Sequence, residues 1–209
     1  MSARPTVVIL DYGSGNLRSA QRALTRVGAD VVVSADRDRA LDADGLVIPG
    51  VGAFGACIQG LQHVGAAQIV DLRLAGQRAV LGVCVGMQVM FTQSQESPGS
   101  TGLGLWPGQV SRLGAQVLPH MGWNTVRCAE GSGLFRGLEH ERFYFVHSYA
   151  VLEWIPPAAG AFADISWSHY GEAFVAAVEQ GPLAATQFHP EKSGDAGLAL
   201  LRNWVRSLD

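Results

Sequence analysis

Lysine is almost absent from the sequence: of the 15 basic side chains among its 209 residues, only Lys192 is a lysine. Charged residues make up 16% of the chain, and the formal net charge is −3. A protein that binds nucleic acid non-specifically needs a basic face, so this balance argues against a nucleic-acid partner. The sequence also lacks any apolar run of about 18 residues, so no membrane span or membrane partner is expected.

Cysteine is scarce as well, with Cys57, Cys84 and Cys128 as the whole set. An odd number without a C-x-x-C pair predicts neither a disulfide framework nor a zinc site, and no metal is expected. Unpaired cysteines are typical of a reducing compartment. The apolar run Thr6–Leu10 is too short for the core of a signal peptide, so a cytoplasmic location is expected.

In the first half of the chain, apolar runs alternate with helix-like segments. Strands are predicted at residues 6–10, 31–33, 45–48 and 79–83, and helices at residues 16–27, 53–63, 66–75 and 85–93. Continuous apolar strands separated by helices predict an α/β fold, with a doubly wound parallel sheet covered on both faces. No composition break suggests a boundary, so a single domain over residues 1–209 is expected.

The second half is richer in predicted strands. Residues 94–108 are rich in Gly, Ser and Pro and predict a loop. Further strands are predicted at residues 109–113, 123–127, 142–150, 173–178 and 183–188, and a final helix at residues 197–206.

The segment Gly82-Val-Cys84-Val-Gly86 joins a predicted strand to a predicted helix. This is the spacing of a nucleophile elbow, with a thiol in place of the hydroxyl. The amino end of the helix favours the thiolate, and the flanking glycines relieve crowding in a strained turn. Cys84 is therefore the predicted nucleophile and the Val85 amide a predicted oxyanion donor. The alternative is a buried cysteine at a tight turn.

His189 ends an apolar strand, in the segment Gln187-Phe-His-Pro-Glu191. A cysteine nucleophile needs a base, and the base needs an orienting group. Residues two apart in an extended segment point to the same side, so Glu191 is predicted to hold the His189 ring. The alternative is a strand-end histidine beside a surface glutamate.

The turn Pro49-Gly-Val-Gly52 follows the third predicted strand. It matches neither of the glycine patterns that bind phosphates. Loops at the carboxyl ends of parallel strands gather at one edge of a sheet, so an amide of this turn could join that of Val85. Gly50 and Gly52 are therefore predicted to contact the substrate, with Gly52 as the second oxyanion donor.

The chain resembles the class I, or triad, glutamine amidotransferases. The resemblance lies in the segments Cys84-Val-Gly-Met-Gln88 and His189-Pro-Glu191. Longer motifs are similar to one family in that class, the glutaminase subunits of imidazole glycerol phosphate synthases. These motifs are Asp11-Tyr-Gly-Ser-Gly-Asn16, Pro49-Gly-Val-Gly-Ala-Phe54, Pro119-His-Met-Gly-Trp-Asn124 and His189-Pro-Glu-Lys-Ser-Gly194. The resemblance implies a flavodoxin-like, mainly parallel sheet flanked by helices, with an additional β-rich second half and no cofactor.

The resemblance also implies an activity, the hydrolysis of L-glutamine to glutamate and ammonia through a thioester on Cys84. It assigns the binding of the amino-acid end of glutamine to Gln88 and to the backbone around His147, Ser148 and Tyr149.

A protein partner is implied in the same way: a cyclase of (βα)8-barrel fold that receives the ammonia. That cyclase makes imidazole glycerol phosphate and an aminoimidazole carboxamide ribotide in histidine biosynthesis. Since the chain ends at Asp209, the cyclase is expected to be a separate polypeptide, giving a heterodimer. The residues that resemble the family's interface are Asn16, Met121, Trp123, Tyr144 and Lys192. For Met121 and Trp123 the alternative is a place in the core, and His120 is ambiguous.

Two rival functions stay open. Glutaminase subunits of anthranilate or aminodeoxychorismate synthase typically have residues other than Val51, Met87 and Lys192 at these positions, which favours the histidine-pathway family. A redox-sensing or chaperone-like protein of similar fold would need neither the His189–Glu191 pair nor the glycine turn.

Overall fold

The computed structural model describes residues 4–154 and 162–208. Its strands are β1 (Thr6–Leu10), β2 (Asp30–Ser34), β3 (Gly45–Gly50), β4 (Ala79–Cys84), β5 (Phe91–Ser94), β6 (Trp106–Arg112), β7 (His120–Thr125), β8 (Arg142–His147), β9 (Tyr149–Val151), β10 (Asp164–Tyr170), β11 (Glu172–Gln180) and β12 (Leu183–Thr186). Its helices are α1 (Leu17–Arg26), α2 (Arg37–Asp42), α3 (Phe54–His63), α4 (Ala66–Ala75), α5 (Val85–Gln88) and α6 (Gly194–Arg206), with a 3-10 turn at Pro190–Lys192. Within the described ranges, no helix is both long and apolar enough to cross a bilayer.

The centre of the fold is a seven-stranded sheet in the order β10-β11-β12-β4-β3-β1-β2. The strands from β12 to β2 run parallel, and β11 and β10 extend one edge antiparallel. Helix α1 packs with α6, while α4 packs with α2 and α3. The α/β, mainly parallel sheet flanked by helices is confirmed, and the continuous burial of β3 explains its unbroken apolar sequence.

The β-rich second half adds two smaller sheets to this frame. One joins β5, β6 and β9, and the other is the antiparallel ribbon of β7 and β8. The predicted strand over residues 142–150 is interrupted at Ser148, where the chain passes from the ribbon to the other sheet.

The helix predicted over residues 85–93 is wrong beyond its first turn. Helix α5 ends at Gln88, and β5 begins at Phe91 and pairs in parallel with β6. The end of this apolar run pairs with β6, with Phe91 opposite Trp106, fifteen residues later in the chain. The periodicity within the run gives no sign of such a long-range pairing. Two further elements, α2 and β10, were not predicted because both are rich in polar residues.

Candidate active site

Cys84 sits at the bend between β4 and α5, as the elbow spacing predicts. Its φ of 57° is unusual for a residue with a side chain, and it is 3% exposed. The flanking glycines are required by space, because a β carbon on Gly86 would collide with the carbonyl of Ile48, and one on Gly82 would lie 2.7 Å from the carbonyl of Gly86. The elbow therefore packs directly against β3.

The carboxyl end of β3 lies beside the sulfur, since Gly50 is paired with Cys84 in the sheet. A β carbon on Gly50 would come within 2.8 Å of the Val85 carbonyl carbon. Gly52 has open space around it but a φ of 85°, a conformation that favours glycine. The two predicted glycines are thus needed for different reasons, the first for room and the second for its backbone angle.

The turn after Gly50 is held from behind by side chains. The Val51 amide donates to the Ser14 hydroxyl oxygen at 3.3 Å, and that hydroxyl donates to the Val51 carbonyl at 2.7 Å. The Cys57 thiol donates to the same carbonyl at 3.5 Å, and the Tyr12 hydroxyl donates to the Pro49 carbonyl. The Val51 amide is therefore engaged with Ser14 in this structure, and it is not directed at Cys84.

His189 and Glu191 form a buried pair, with His189 Nδ1 2.8 Å from Glu191 Oε1. The predicted contact is present, but the predicted extended segment is not: Pro190 starts a 3-10 turn that folds the carboxylate back onto the ring. Ser193 fixes this turn, because its hydroxyl donates to the His189 carbonyl and accepts from the Tyr144 amide of β8.

Because the carboxylate takes Nδ1, the Nε2 of His189 is the nitrogen left to face Cys84. Burial lowers the pKa of His189, but the neighbouring Cys84 sulfur and the Glu191 carboxylate bonded to Nδ1 raise it to about 10. The imidazole of His189 is therefore positioned to hold a proton next to the sulfur.

These residues border a cavity of about 400 Å³. Its lining includes Cys84, Val85, Gln88, Gly52, His147, Ser148, Tyr149, His189 and Lys192. Gly50 and Glu191 are not in that lining; they border a narrow crevice with Asn16 on the other side of His189. The fold thus brings the predicted nucleophile, base and substrate contacts to one opening at the carboxyl ends of β3, β4 and β12.

The resemblance assigns substrate binding to the stretch around His147, but both ring nitrogens of His147 are bonded to other protein groups. Its Nδ1 lies 3.0 Å from the Tyr149 carbonyl, and its Nε2 lies 3.1 Å from His120 Nδ1. Burial lowers the pKa of His147 to about 3 and that of His120 to about 4, so both rings are neutral at pH 7. His120 is a buried residue stacked on Tyr170, which resolves its ambiguity.

Sequence reasoning missed two polar residues of the site. Glu96 lines the cavity, and its Oε2 accepts from the Phe54 amide at 2.7 Å. Gln187 is 1% exposed and lies 3.8 Å from the Cys84 sulfur through its Nε2. Glu96 lies in a Gly- and Ser-rich loop with no motif around it, whereas Gln187 lies two residues before His189 and was passed over.

The residues predicted for a partner surface are all exposed or half-buried. Met121 is 61% exposed and Trp123 is 47% exposed, so the core alternative for both is wrong. Trp123 meets the ring of Tyr144 edge-on at 6.0 Å, and Lys192 is exposed at the cavity edge. Asn16 is exposed and also caps α1, accepting from the Ser19 amide at 3.4 Å.

The other cysteines and a second cavity lie outside this constellation. Cys57 is buried behind the Val51 turn, burial raises its pKa, and Cys128 makes no contact with the cavity. All three cysteines are free thiols. A cavity of about 460 Å³ near Ala79 and Pro182, at the opposite ends of β4 and β12, has no cysteine or histidine in its lining.

Comparison with known proteins gives a consistent result. Residues 8–208 match the family described as glutamine amidotransferase class-I. The chain is 59% identical over 205 residues to the imidazole glycerol phosphate synthase subunit HisH of Mycolicibacterium paratuberculosis, covering 97% of this chain and 98% of that one. It is 56% identical over 210 residues to the protein of the same name from Thermobifida fusca, covering 98% and 100%.

Solved structures agree at the level of the fold. A crystal structure of a glutamine amidotransferase superposes with a TM-score of 0.74 at 21% identity, over 97% of each chain. The structure of PurLQS from Thermotoga maritima superposes with a TM-score of 0.71 at 16% identity, over 99% of this chain and 100% of that one.

Proposed function

Because the chain belongs to the class I glutamine amidotransferases, we propose that it is the glutaminase subunit of an imidazole glycerol phosphate synthase, releasing ammonia from L-glutamine. The observation that carries this proposal is the meeting of Cys84, His189 and Glu191 at one cavity. Identity of 56–59% to relatives named for that synthase favours it over the glutaminase subunits of anthranilate synthase. A redox sensor would have no use for the buried His189–Glu191 pair.

In the first half of the reaction, the Cys84 thiolate attacks the side-chain carbonyl carbon of glutamine. A C–S bond forms, and the carbonyl π electrons move to the oxygen. When the tetrahedral intermediate collapses, the C–N bond breaks and its electron pair leaves with nitrogen, which takes the proton from His189 Nε2 and departs as ammonia. The raised pKa of His189 supports this role, since the proton is held at the leaving group.

In the second half, water hydrolyses the thioester. His189 removes a proton from the water as its oxygen attacks the carbonyl carbon, and collapse breaks the C–S bond, so that sulfur leaves with the bonding pair as thiolate. The γ-carboxylic acid formed in this way loses its own proton to solvent to give glutamate, and His189 again carries the proton taken from water. Glu191 keeps the ring in the orientation needed for both halves by accepting from Nδ1 at 2.8 Å.

The oxyanion of both intermediates needs two donors, and the Val85 amide at the elbow supplies the first. For the second we propose an amide of the turn over residues 50–52. The Val51 amide is bonded to Ser14, so rotation of the Gly50–Val51 peptide would be required to turn it toward Cys84. Gly50 makes that rotation inexpensive, which suits a glutaminase whose activity depends on its partner.

The ends of the substrate have fitting partners in the cavity. The Gln88 Nε2 donates to the Tyr149 carbonyl and to Gln187 Oε1, which leaves Gln88 Oε1 to accept from the substrate. Glu96 is the only acidic residue among the described residues of the lining, and its charge suits the α-ammonium group of glutamine. The backbone of residues 147–149 borders the position left for the carboxylate.

The product dictates the partner. Ammonia in neutral water becomes ammonium and loses its nucleophilic lone pair, so it must pass to its acceptor without release. We propose that a cyclase subunit covers the exposed face formed by Met121, Trp123 and Tyr144. Val146, which is paired with Met121, lines the cavity beside Cys84, so this face adjoins the site where ammonia forms.

The proposal is tested by measuring glutamate release from glutamine with and without the cyclase loaded with its substrate, a ribulosyl-aminoimidazole ribotide. The wild-type chain should hydrolyse glutamine, fastest with the loaded cyclase, and Cys84→Ala should abolish hydrolysis. Cys84→Ala should co-elute with the cyclase in size-exclusion chromatography and keep a wild-type urea unfolding curve, which shows that folding and docking are intact. Glutamine hydrolysis that persists in Cys84→Ala would overturn the assignment.

A further inference from the structure

A buried glutamine next to the nucleophile has no part in the mechanism described so far. Gln187 follows β12 directly, is 1% exposed, and places its Nε2 3.8 Å from the Cys84 sulfur. Burial of an amide requires that its donors and acceptor be satisfied, so the direction in which this side chain donates is fixed by its neighbours.

The direction is set by a backbone carbonyl, which can only accept. Gln88 Nε2 donates to the Tyr149 carbonyl at 2.8 Å and to Gln187 Oε1 at 3.0 Å. Since Oε1 of Gln187 is the acceptor of that bond, its Nε2 has to face the sulfur. Exchange of the two ends of the Gln187 amide would set two N–H groups against each other.

The Tyr149 carbonyl is held in place by a second chain of hydrogen bonds. The carbonyl accepts from His147 Nδ1 at 3.0 Å, so His147 Nε2 carries the lone pair and accepts from His120 Nδ1 at 3.1 Å. His120 Nε2 is left to accept from Asn124 Nδ2 at 3.3 Å. In one chain, each donor from Asn124 through His120 and His147 points toward the Tyr149 carbonyl. In the other, the donors run from Gln88 to Gln187 and from Gln187 to the Cys84 sulfur.

Two contacts of the sulfur suit opposite protonation states. The Val146 carbonyl lies 4.0 Å from the Cys84 sulfur and can accept only from the thiol. Gln187 Nε2 can donate to the sulfur and gains strength when the sulfur carries a negative charge. Cys84 is 3% exposed as a residue, so most contacts of its side chain are with protein groups.

From these contacts we propose that Gln187 is a catalytic residue of the glutaminase, donating an N–H···S hydrogen bond that holds and stabilises the Cys84 thiolate. No proton is transferred to sulfur by Gln187. The bond is present when the thiolate attacks, weakens in the thioester, and re-forms as the C–S pair returns to sulfur during hydrolysis. This inference rests on the proposed function for the identity of the reaction, but the thiolate contact itself is tested without glutamine.

The test is the rate of alkylation of Cys84 by iodoacetamide as a function of pH, with Gln187→Met against wild type. Methionine keeps the length of the side chain and removes the donor. We expect the pH of half-maximal rate to rise by about one unit, and the rate below that pH to fall about tenfold. With glutamine and the loaded cyclase, kcat should fall about tenfold with little change in KM.

The matched control is Gln180→Met. Gln180 accepts from the Trp106 indole at 2.6 Å on β11, so this variant also loses a hydrogen bond of a part-buried glutamine, away from the sulfur. It should lower thermal stability and leave the alkylation profile at its wild-type position. The other titratable groups near the sulfur are the same in both variants: His189 with Glu191, His147, Tyr149, Glu96 and Lys192 around the cavity, and Tyr12 and Cys57 behind the turn over residues 50–52.

A wild-type alkylation profile in folded Gln187→Met would overturn the proposal. If that variant does not fold, Gln187→Asn draws the donor back from the sulfur by one methylene and should raise the midpoint in the same direction; an unchanged midpoint there would overturn it equally. A wild-type chain that alkylates normally but never hydrolyses glutamine would instead refute the proposed function.

Discussion

Replacing Gly50 with alanine adds one methyl group at the point where β3 touches the elbow. The new β carbon would collide with the Gly86 amide nitrogen and lie 2.8 Å from the Val85 carbonyl carbon, against ordinary contact from 3.4 Å. No backbone strain opposes the substitution, because the φ of Gly50 lies outside the left-handed region. The change is therefore purely one of space, and the strand end and the elbow must separate by more than half an ångström.

That separation acts on catalysis more than on folding. Overpacking of this kind costs about 1–3 kcal/mol of stability. The turn over residues 50–52 and the Val85 amide are the two proposed sides of the oxyanion hole, and displacing such groups by about 1 Å costs on the order of 100-fold in rate. We expect a 10- to 100-fold fall in kcat, measured as glutamate release with the loaded cyclase, and urea unfolding should show a folded variant.

The matched control is Gly45→Ala at the other end of the same strand. Its β carbon would lie 2.7 Å from the Trp204 ring and 3.0 Å from Leu208, so it also overlaps its neighbours, but these are side chains far from Cys84. Gly45→Ala should lose about 1–3 kcal/mol and keep kcat within about twofold. The reasoning is refuted if Gly50→Ala keeps kcat within about threefold of wild type, or if Gly45→Ala loses as much activity.

Three further substitutions test other parts of the molecule. Arg73→Met should cost at least about 3 kcal/mol in urea unfolding, because the fully buried guanidinium donates to five backbone carbonyls, whereas Arg78→Met should cost under about 1 kcal/mol. His120→Phe should reduce the slope of stability against pH between pH 6.5 and about 4. The pKa of folded His120 is lowered to about 4, so the unfolded wild type binds this proton first and stability falls by up to about 1.4 kcal/mol per unit as the pH is lowered, while His147 keeps its own contribution in the variant. An equally steep urea series in the variant would contradict this. Lys192→Arg should reduce the stimulation of glutamine hydrolysis by the loaded cyclase more than it changes the unfolding midpoint, because a planar guanidinium does not replace a compact ammonium in a tight contact; unchanged stimulation would return Lys192 to an ordinary surface residue.

The parts of the fold that the sequence predicts are those whose signal is local. The parallel strands read as unbroken apolar runs because both faces of the sheet are covered, as at Thr6–Leu10. The elbow is also local, since Gly82 and Gly86 are needed by the turn that contains Cys84. The 3-10 turn at Pro190–Lys192 shows the limit of such reasoning: the contact of His189 with Glu191 was predicted through an extended geometry that the chain does not adopt.

Elements that depend on distant partners could not be predicted in this way. The segment Phe91–Ser94 forms a strand because Trp106–Arg112 pairs with it, and nothing within the segment distinguishes this outcome from a longer helix. The strand Asp164–Tyr170 alternates polar and apolar residues and lies at the edge of the central sheet, where one face needs little apolar sequence.

The same distinction governs the polar residues of the site. Cys84 and His189 are recognisable because their chemistry is rare and their flanking residues are constrained by local turns. Gln187 becomes meaningful only through Gln88, 99 positions away, and Gln88 in turn through the Tyr149 carbonyl. A buried amide costs free energy unless each of its groups is paired, so the fold selects one orientation among those that the sequence permits. That orientation leaves a donor facing the sulfur, which is why the role of Gln187 follows from hydrogen-bond direction and is not visible in the motif that contains it.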